Sequence, residues 1–125
     1  MKIISISIGP VVIDIEPLDT PTTAEISRHT PFTSTAQTWG DEVYFSAPAD
    51  VVKEADARDV VEPGEIAYWT EGKCIAIGFG RTPISEGDEI RLAAKTNIWG
   101  KAISDVKLLS RVKSGDKVTV AIRDE

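Results

Sequence analysis

Between Ile4 and Glu16 the apolar residues fall on every second position, twice over, on either side of Gly9-Pro10. Ile4, Ile6 and Ile8 alternate with Ser5 and Ser7. Val11, Ile13 and Ile15 then alternate with Val12, Asp14 and Glu16. Side chains of an extended strand point to opposite faces in turn, so a period of two marks a half-buried strand. Two such runs across a Gly-Pro turn predict an opening β-hairpin. The same stretch holds a charge-free, mostly apolar run, Ile3 to Ile13. A membrane span needs about 20 mostly apolar residues, so this run is too short, and Ser5, Ser7 and Gly9-Pro10 interrupt it. It also lacks the small-residue cleavage site of a signal peptide, and Asp14 and Glu16 follow directly. The expectation is a cytoplasmic protein without a membrane partner, which the lone Cys74 suits.

The pattern then changes. Thr20 can cap a helix whose first residue is Pro21, where a missing N–H costs nothing, and Thr22 with Glu25 offers a second capping box. That helix runs to His29 and ends at Thr30-Pro31. Residues 30–40 are rich in Thr and Ser and read as a loop. Asp41 to Ser46 reads as a strand closed by Pro48. Asp50 to Ala57 fits no single pattern. Arg58 to Glu62 reads as extended, and Pro63-Gly64 as a turn. Ile66 to Thr70 and Cys74 to Phe79 form the clearest hairpin, joined across Glu71-Gly72-Lys73. Apolar stretches at Ile90 to Ala94, Asn97 to Ile103 and Val118 to Ile122 add further strands, and Val106 to Val112 reads as one or two helical turns. Many short strands separated by Gly and Pro predict a mainly β fold: a closed antiparallel β-barrel of about eight strands, with one clear short helix over an open end and a second short helical stretch. With 125 residues, no internal repeat and no linker, the chain reads as one domain over 1–125.

Composition removes several chemistries. One cysteine makes no internal disulfide, and one histidine with one cysteine builds no Cys/His zinc site, so no metal is expected. Residues 1–65 carry four basic and twelve acidic side chains, whereas residues 66–125 carry ten basic and eight acidic. The later basic residues are interleaved with Glu86, Asp88, Glu89 and Asp105, so no cationic stripe forms for phosphates, and nucleic acid is not an expected partner. Gly100-Lys101 lacks the rest of a phosphate loop, and Gly78-Phe79-Gly80 lacks the third glycine and following helix of a dinucleotide site; no cofactor is expected. Asp41 and Glu42 are strand neighbours and point apart, so they do not form a converging carboxylate pair.

Four stretches in this order resemble the small prokaryotic cyclophilin-like family: Thr20 to Glu25, Trp39 to Phe45, Glu62 to Trp69 running on through Ile75 to Pro83, and Asn97 to Lys101. The resemblance covers nearly the whole chain and implies a compact cyclophilin-type barrel. Likeness to the prolyl isomerases themselves is more distant. Their helix opening is similar to Pro21-Thr22-Thr23-Ala24-Glu25, their Pro-Gly-x-Leu-Ser-Met-Ala to Pro63 through Trp69, and their Val-Phe-Gly-Lys-Val to Ile98 through Ala102. The departures fall on the catalytic set. Where the isomerases carry Phe-His-Arg, this chain reads Gly40-Asp41-Glu42-Val43-Tyr44, with no arginine and two acids. Their Gln-Phe-Phe stretch falls near Cys74-Ile75-Ala76, and their active-site histidine falls on Thr96.

Arg81, beside Phe79 at a strand end, is the candidate replacement for the missing catalytic arginine; as a residue of a Gly-Arg-Thr-Pro turn it needs no such role. The aromatics are the better lead, because large rings with a polar edge suit ligand and peptide surfaces as well as cores. The expected ligand-binding residues are Trp39, Glu42, Tyr44, Trp69, Phe79, Asn97 and Trp99. Tyr68 and Trp69 are adjacent in a strand and face opposite ways, so at most one lines any given site. The expected function is a barrel that binds a peptide or small-molecule ligand without the usual isomerase set. The alternative is a weak or altered peptidyl-prolyl isomerase, which must lower a barrier of about 18–20 kcal/mol. Oligomeric state is not legible from the chain.

Overall fold

The structure is a computed structural model that describes residues 2–124. The opening hairpin forms as expected, with β1 over Lys2–Ile8 and β2 over Val11–Pro17. Ile4, Ile6, Ile8, Val11, Ile13 and Ile15 all enter one core, while Val12 and Glu16 stay exposed. Helix α1 spans Pro21–His29; the Thr20 side chain accepts from the Thr23 N–H at 3.1 Å, and Pro21 takes the first position. It buries Thr22 and Ile26 and ends at Thr30, whose N–H turns back to Ser27. Eight further strands follow: β3 Phe32–Thr35, β4 Gln37–Thr38, β5 Glu42–Ser46, β6 Arg58–Val61, β7 Glu65–Trp69, β8 Cys74–Gly78, β9 Ile90–Ala102 and β10 Lys117–Asp124. A 3₁₀ stretch over Val106–Arg111 is the second helical piece.

All the strand pairings are antiparallel. Nine strands run in the order β3-β10-β1-β2-β9-β7-β8-β5-β4, and β6 pairs with β9 beside this path. The result is the expected mainly β barrel, nearly closed. Two details differ from the sequence expectation. The two apolar stretches at 90–94 and 97–103 fuse into one 13-residue strand, β9. The Thr- and Ser-rich segment read as a loop supplies β3 and β4, since pairing with β10 and β5 satisfies its backbone whatever its side chains prefer.

Those two short strands close the barrel. β3 and β4 are the two ends of the sheet, yet only Ala36 separates them in the chain. Ala36 is fully buried, donates its N–H to Asp116 at 2.8 Å and accepts from Gly115 at 2.8 Å. The covalent chain therefore crosses the seam that hydrogen bonds do not. Inside, Ile66, Tyr68, Ile75, Ile77, Val43, Phe45 and Trp99 meet the isoleucines of the hairpin in one core, with Ile26 of α1 packed into it. A second, smaller cluster of Val61, Ala67, Ala76, Ile90 and Leu92 lies on the outer face of β7 and β8.

Ala36 marks where this closure tolerates least volume. Ala36→Leu is expected to lower unfolding stability by roughly 1–3 kcal/mol through overpacking, read as the urea midpoint. Thr35→Leu, one residue away and exposed, is expected to move it by less than about 0.5 kcal/mol.

Candidate functional site

On β5, β7 and β8 alternate side chains take opposite sides of the wall. Val43 and Phe45, Ile66 and Tyr68, and Ile75 and Ile77 point into the core. Glu42 and Tyr44, Ala67 and Trp69, and Ala76 and Gly78 take the outer face. The outer positions Ala67, Ala76 and Gly78 are thus small. Ile90 presses on Gly78, where a Cβ would collide with its side chain, and Leu92 packs alongside. The first half of β9 therefore lies across the outer face, with β6 bonded to it. β6 pairs Val61 with Ile90, Val60 with Arg91 and Arg58 with Thr96, so Leu92 to Lys95 bulge away from the ladder. Bulges of this kind re-aim side chains beside functional sites.

Where the bulge leaves the wall, a cavity of about 170 Å³ opens on the outer face. Its floor is Ala76 and Leu92, its flanks are Trp39, Tyr44 and Trp69, and Ala93, Ala94 and Thr96 of the bulge complete it with Glu42. Trp39 is held by the turn that enters β5: its N–H donates to the Glu42 carbonyl at 3.0 Å. Gly40 has φ +57 and sits against the backbone of Arg81 and Thr82, so the turn admits no side chain there. The Asp41 N–H donates to the Arg81 carbonyl at 2.8 Å. Trp69 is pinned from the other side by Gly72, where a Cβ would overlap its six-membered ring. Two polar groups of the lining are already committed: the Tyr44 hydroxyl donates to Gln37 Oε1 at 3.1 Å, and the Thr96 hydroxyl donates to the Arg58 carbonyl at 2.9 Å.

Glu42 is the exception. It is only 6% exposed, and its Oε1 has no hydrogen-bond partner among the described residues. Burial alone pushes its carboxyl up to about 7. Other carboxylates have cations: Glu25 has Arg28, Glu65 has Arg58, Glu89 has Arg91 and Asp14 has Arg123, and each is held below its ordinary range. A buried polar atom left without a partner is uncommon enough to require a reason.

The structure brings together Trp39, Glu42, Tyr44 and Trp69 of the seven expected ligand-binding residues, and separates the other three. Phe79 lines a different cleft, of about 480 Å³, with Val60, Val61 and Ile90. Trp99 is fully buried in the barrel interior. Asn97 is fully buried too, and acts as a latch: its Oδ1 accepts from the Glu54 N–H at 2.8 Å, and its Nδ2 donates to Thr22 Oγ1 at 3.0 Å and the Val52 carbonyl at 2.9 Å. It ties β9 to the first turn of α1 and to the irregular segment 50–57. The physical reason for both placements is parity. After the bulge, positions 97 and 99 of β9 face inward and Thr96 faces out. Arg81 is exposed and its guanidinium donates to the Ser85 carbonyl at 3.3 Å, outside the cavity; its backbone supports the turn that carries Trp39 and Glu42. Leu92, Ala93 and Ala94 were not anticipated, because a run of small residues carries no chemical signal of its own.

The chain is thus a nearly closed antiparallel barrel with a capping helix and an aromatic cavity on its outer wall. The family described as Cyclophilin-like matches residues 2–121, and the chain belongs to it. The solution structure of a hypothetical protein from Archaeoglobus fulgidus is similar, at 36% identity over 97% of this chain and 93% of that one, with a TM-score of 0.81. No curated protein matches the chain. Among the described residues, no helix is long and apolar enough to cross a membrane.

Two outcomes follow from this geometry. Asn97→Ala removes three hydrogen bonds of a fully buried amide, to Thr22 and to the backbone of residues 52 and 54, and is expected to cost about 2 kcal/mol, read by chemical denaturation. For Glu42 the folded value lies above the ordinary 4.5, so the folded state holds the extra proton between pH 4.5 and about 7. Wild-type stability therefore falls relative to Glu42→Gln as pH rises through that window, by up to about 3 kcal/mol, with no further divergence above it. Paired thermal melts from pH 4.5 to 8.5 read the difference.

Proposed function

We propose that this protein is a binding module whose outer-wall cavity takes one side chain of a peptide or one small molecule. The observation that carries the reading is Glu42: a buried carboxyl oxygen with no partner, set among three aromatics in a cavity that opens to solvent. Size supports it. An engineered apolar cavity of about 150 Å³ holds benzene, whereas drug-sized ligands occupy pockets of roughly 300–1,000 Å³. The 170 Å³ here matches a single side chain and not a large cofactor.

The likeness to the prolyl isomerases bears on the same place. The stretches that resemble their arginine region (Gly40 to Tyr44), their Gln-Phe-Phe stretch (Cys74 to Ala76) and their histidine (Thr96) each contribute to the cavity lining, through Glu42 and Tyr44, Ala76, and Thr96. That coincidence supports reading the cavity as the counterpart of the isomerase site, with acids in place of the arginine. A guanidinium donates to a prolyl nitrogen as the amide loses its resonance; Glu42 is no guanidinium, and above about pH 7 its carboxylate has no proton to donate. Arg81 donates elsewhere and lines no part of the cavity. The proposal is accordingly binding without isomerase catalysis, with an altered isomerase as the competing outcome.

Both are read in one preparation. In a proline-peptide isomerisation assay, wild type and Arg81→Ala are expected to give the uncatalysed rate. In nitrogen–proton NMR, short peptides and small-molecule fragments are expected to shift the indole N–H signals of Trp39 and Trp69 and leave that of Trp99 in place, and Trp69→Ala is expected to abolish the response. A rate above background that Arg81→Ala removes would establish the isomerase instead. Peptide and fragment panels that leave Trp39 and Trp69 unmoved would end the binding reading.

A further inference from the structure

We infer that the ligand group this cavity accepts is a primary ammonium on an alkyl chain, either the end of a lysine side chain or a free alkylamine. The inference rests on the reading of the cavity as a ligand site and names the chemistry that fits it.

The complementarity has three parts. Tyr44 and Thr96 already spend their hydroxyl protons on Gln37 and Arg58. The buried polar atom of the lining left without a bond is Glu42 Oε1, a carboxyl oxygen, which an incoming N–H or O–H satisfies. Trp39, Tyr44 and Trp69 surround the same space, and indole and phenol rings attract cations through their faces, more strongly when the cation is shielded from water. The remaining surface is the methyl groups of Ala76, Ala93 and Ala94 with Leu92, which suits a methylene chain and offers nothing to a second polar group. A carboxylate ligand would meet Glu42 as a like charge, and a purely apolar one would leave Oε1 without a bond. The chain's net charge of −6 also draws cations toward it.

Few other ionisable groups compete for this role. On β5 the neighbouring Tyr44 donates its hydroxyl proton to Gln37. Across on β8 the buried Cys74 thiol feels the Glu42 charge and is raised chiefly by its own burial. In the turn before β5, Asp41 lies against Gly80, and Arg81 donates to Ser85. On β9 the nearest cation in sequence, Lys95, is exposed beyond Ala94. A bound ammonium is thus the group that brings Glu42 an opposite charge, and binding draws Glu42 into its ionised form.

The test titrates the full chain with pentylammonium chloride, with 1-pentanol as its neutral counterpart, and with Nα-acetyl-lysine amide, following the Trp39 and Trp69 indole signals. Pentylammonium is expected to bind about tenfold or more tightly at pH 8.5 than at pH 5.5, because Glu42 ionises between them and the amine stays charged at both. Glu42→Gln, its fold checked by the same thermal melts, is expected to lose this pH dependence and weaken binding about tenfold or more. Tighter binding of the capped lysine assigns the source to a peptide; tighter binding of pentylammonium assigns it to free amines. Equal affinity for 1-pentanol and pentylammonium, unchanged in Glu42→Gln, would overturn the ammonium inference while leaving a small-ligand site in place. Absence of any response to all three, with the peptide and fragment panels also silent, would overturn the site itself.

Discussion

The outer surface of β7 and β8 carries nothing larger than alanine at Ala67, Ala76 and Gly78, and the rest of the architecture depends on that restriction. The inner positions of the same strands are Ile66, Tyr68, Ile75 and Ile77, large residues that fill the barrel and hold the wall flat against its contents. Small residues outside let β9 fold back over the wall with Ile90 on Gly78, and let β6 follow it. The wall is therefore buried on both faces along part of its length. Where the covering strand bulges at Leu92 to Lys95, the covering stops and the cavity begins. Larger residues on the outer wall would fill that space or push β9 away.

This arrangement explains why the carboxyl of Glu42 is tolerated. Its strand partner is Gly78, which leaves room beside it but supplies no donor. The chain elsewhere pairs its acids with cations on exposed surfaces, where each pair contributes little to stability. Glu42 instead lies buried in the lining of the recess, and that burial raises its carboxyl. A group in that position costs stability when ionised, which is a common property of sites built for recognition or chemistry.

Much of the fold was legible because its alternation was strict. The hairpin of β1 and β2 shows one apolar face and one polar face, and the structure keeps that division residue by residue. The helix was legible from Thr20 and Pro21, whose capping geometry is local. Strands β3 and β4 were not, because Thr, Ser and Gln there carry no apolar period and the pairing that forms them comes from residues far along the chain. The site was half legible. Trp39, Glu42, Tyr44 and Trp69 lie on short strands and turns whose phase is unambiguous. Trp99 and Asn97 lie beyond a bulge, and a bulge resets which residues face outward; nothing in the sequence of β9 announces it. The unpartnered state of Glu42 likewise belongs to the assembled wall and not to any motif.

The pairing of β10 with both β1 and β3 has a consequence for how the chain is made. Residues 117–124 are the hydrogen-bonding partner of the first strand and also of one lip of the seam. Until they leave the ribosome, the opening hairpin presents an isoleucine-rich strand with one edge unsatisfied, and the segment around Ala36 has no surface to lie against. Local pieces such as the β7–β8 hairpin can form early, but the circuit is completed by contacts separated by more than 80 residues, the kind of long-range pairing that slows folding. Until that strand emerges the sheet is open with a sticky first strand, and its safety from association with its neighbours rests on residues 117–124 arriving in time.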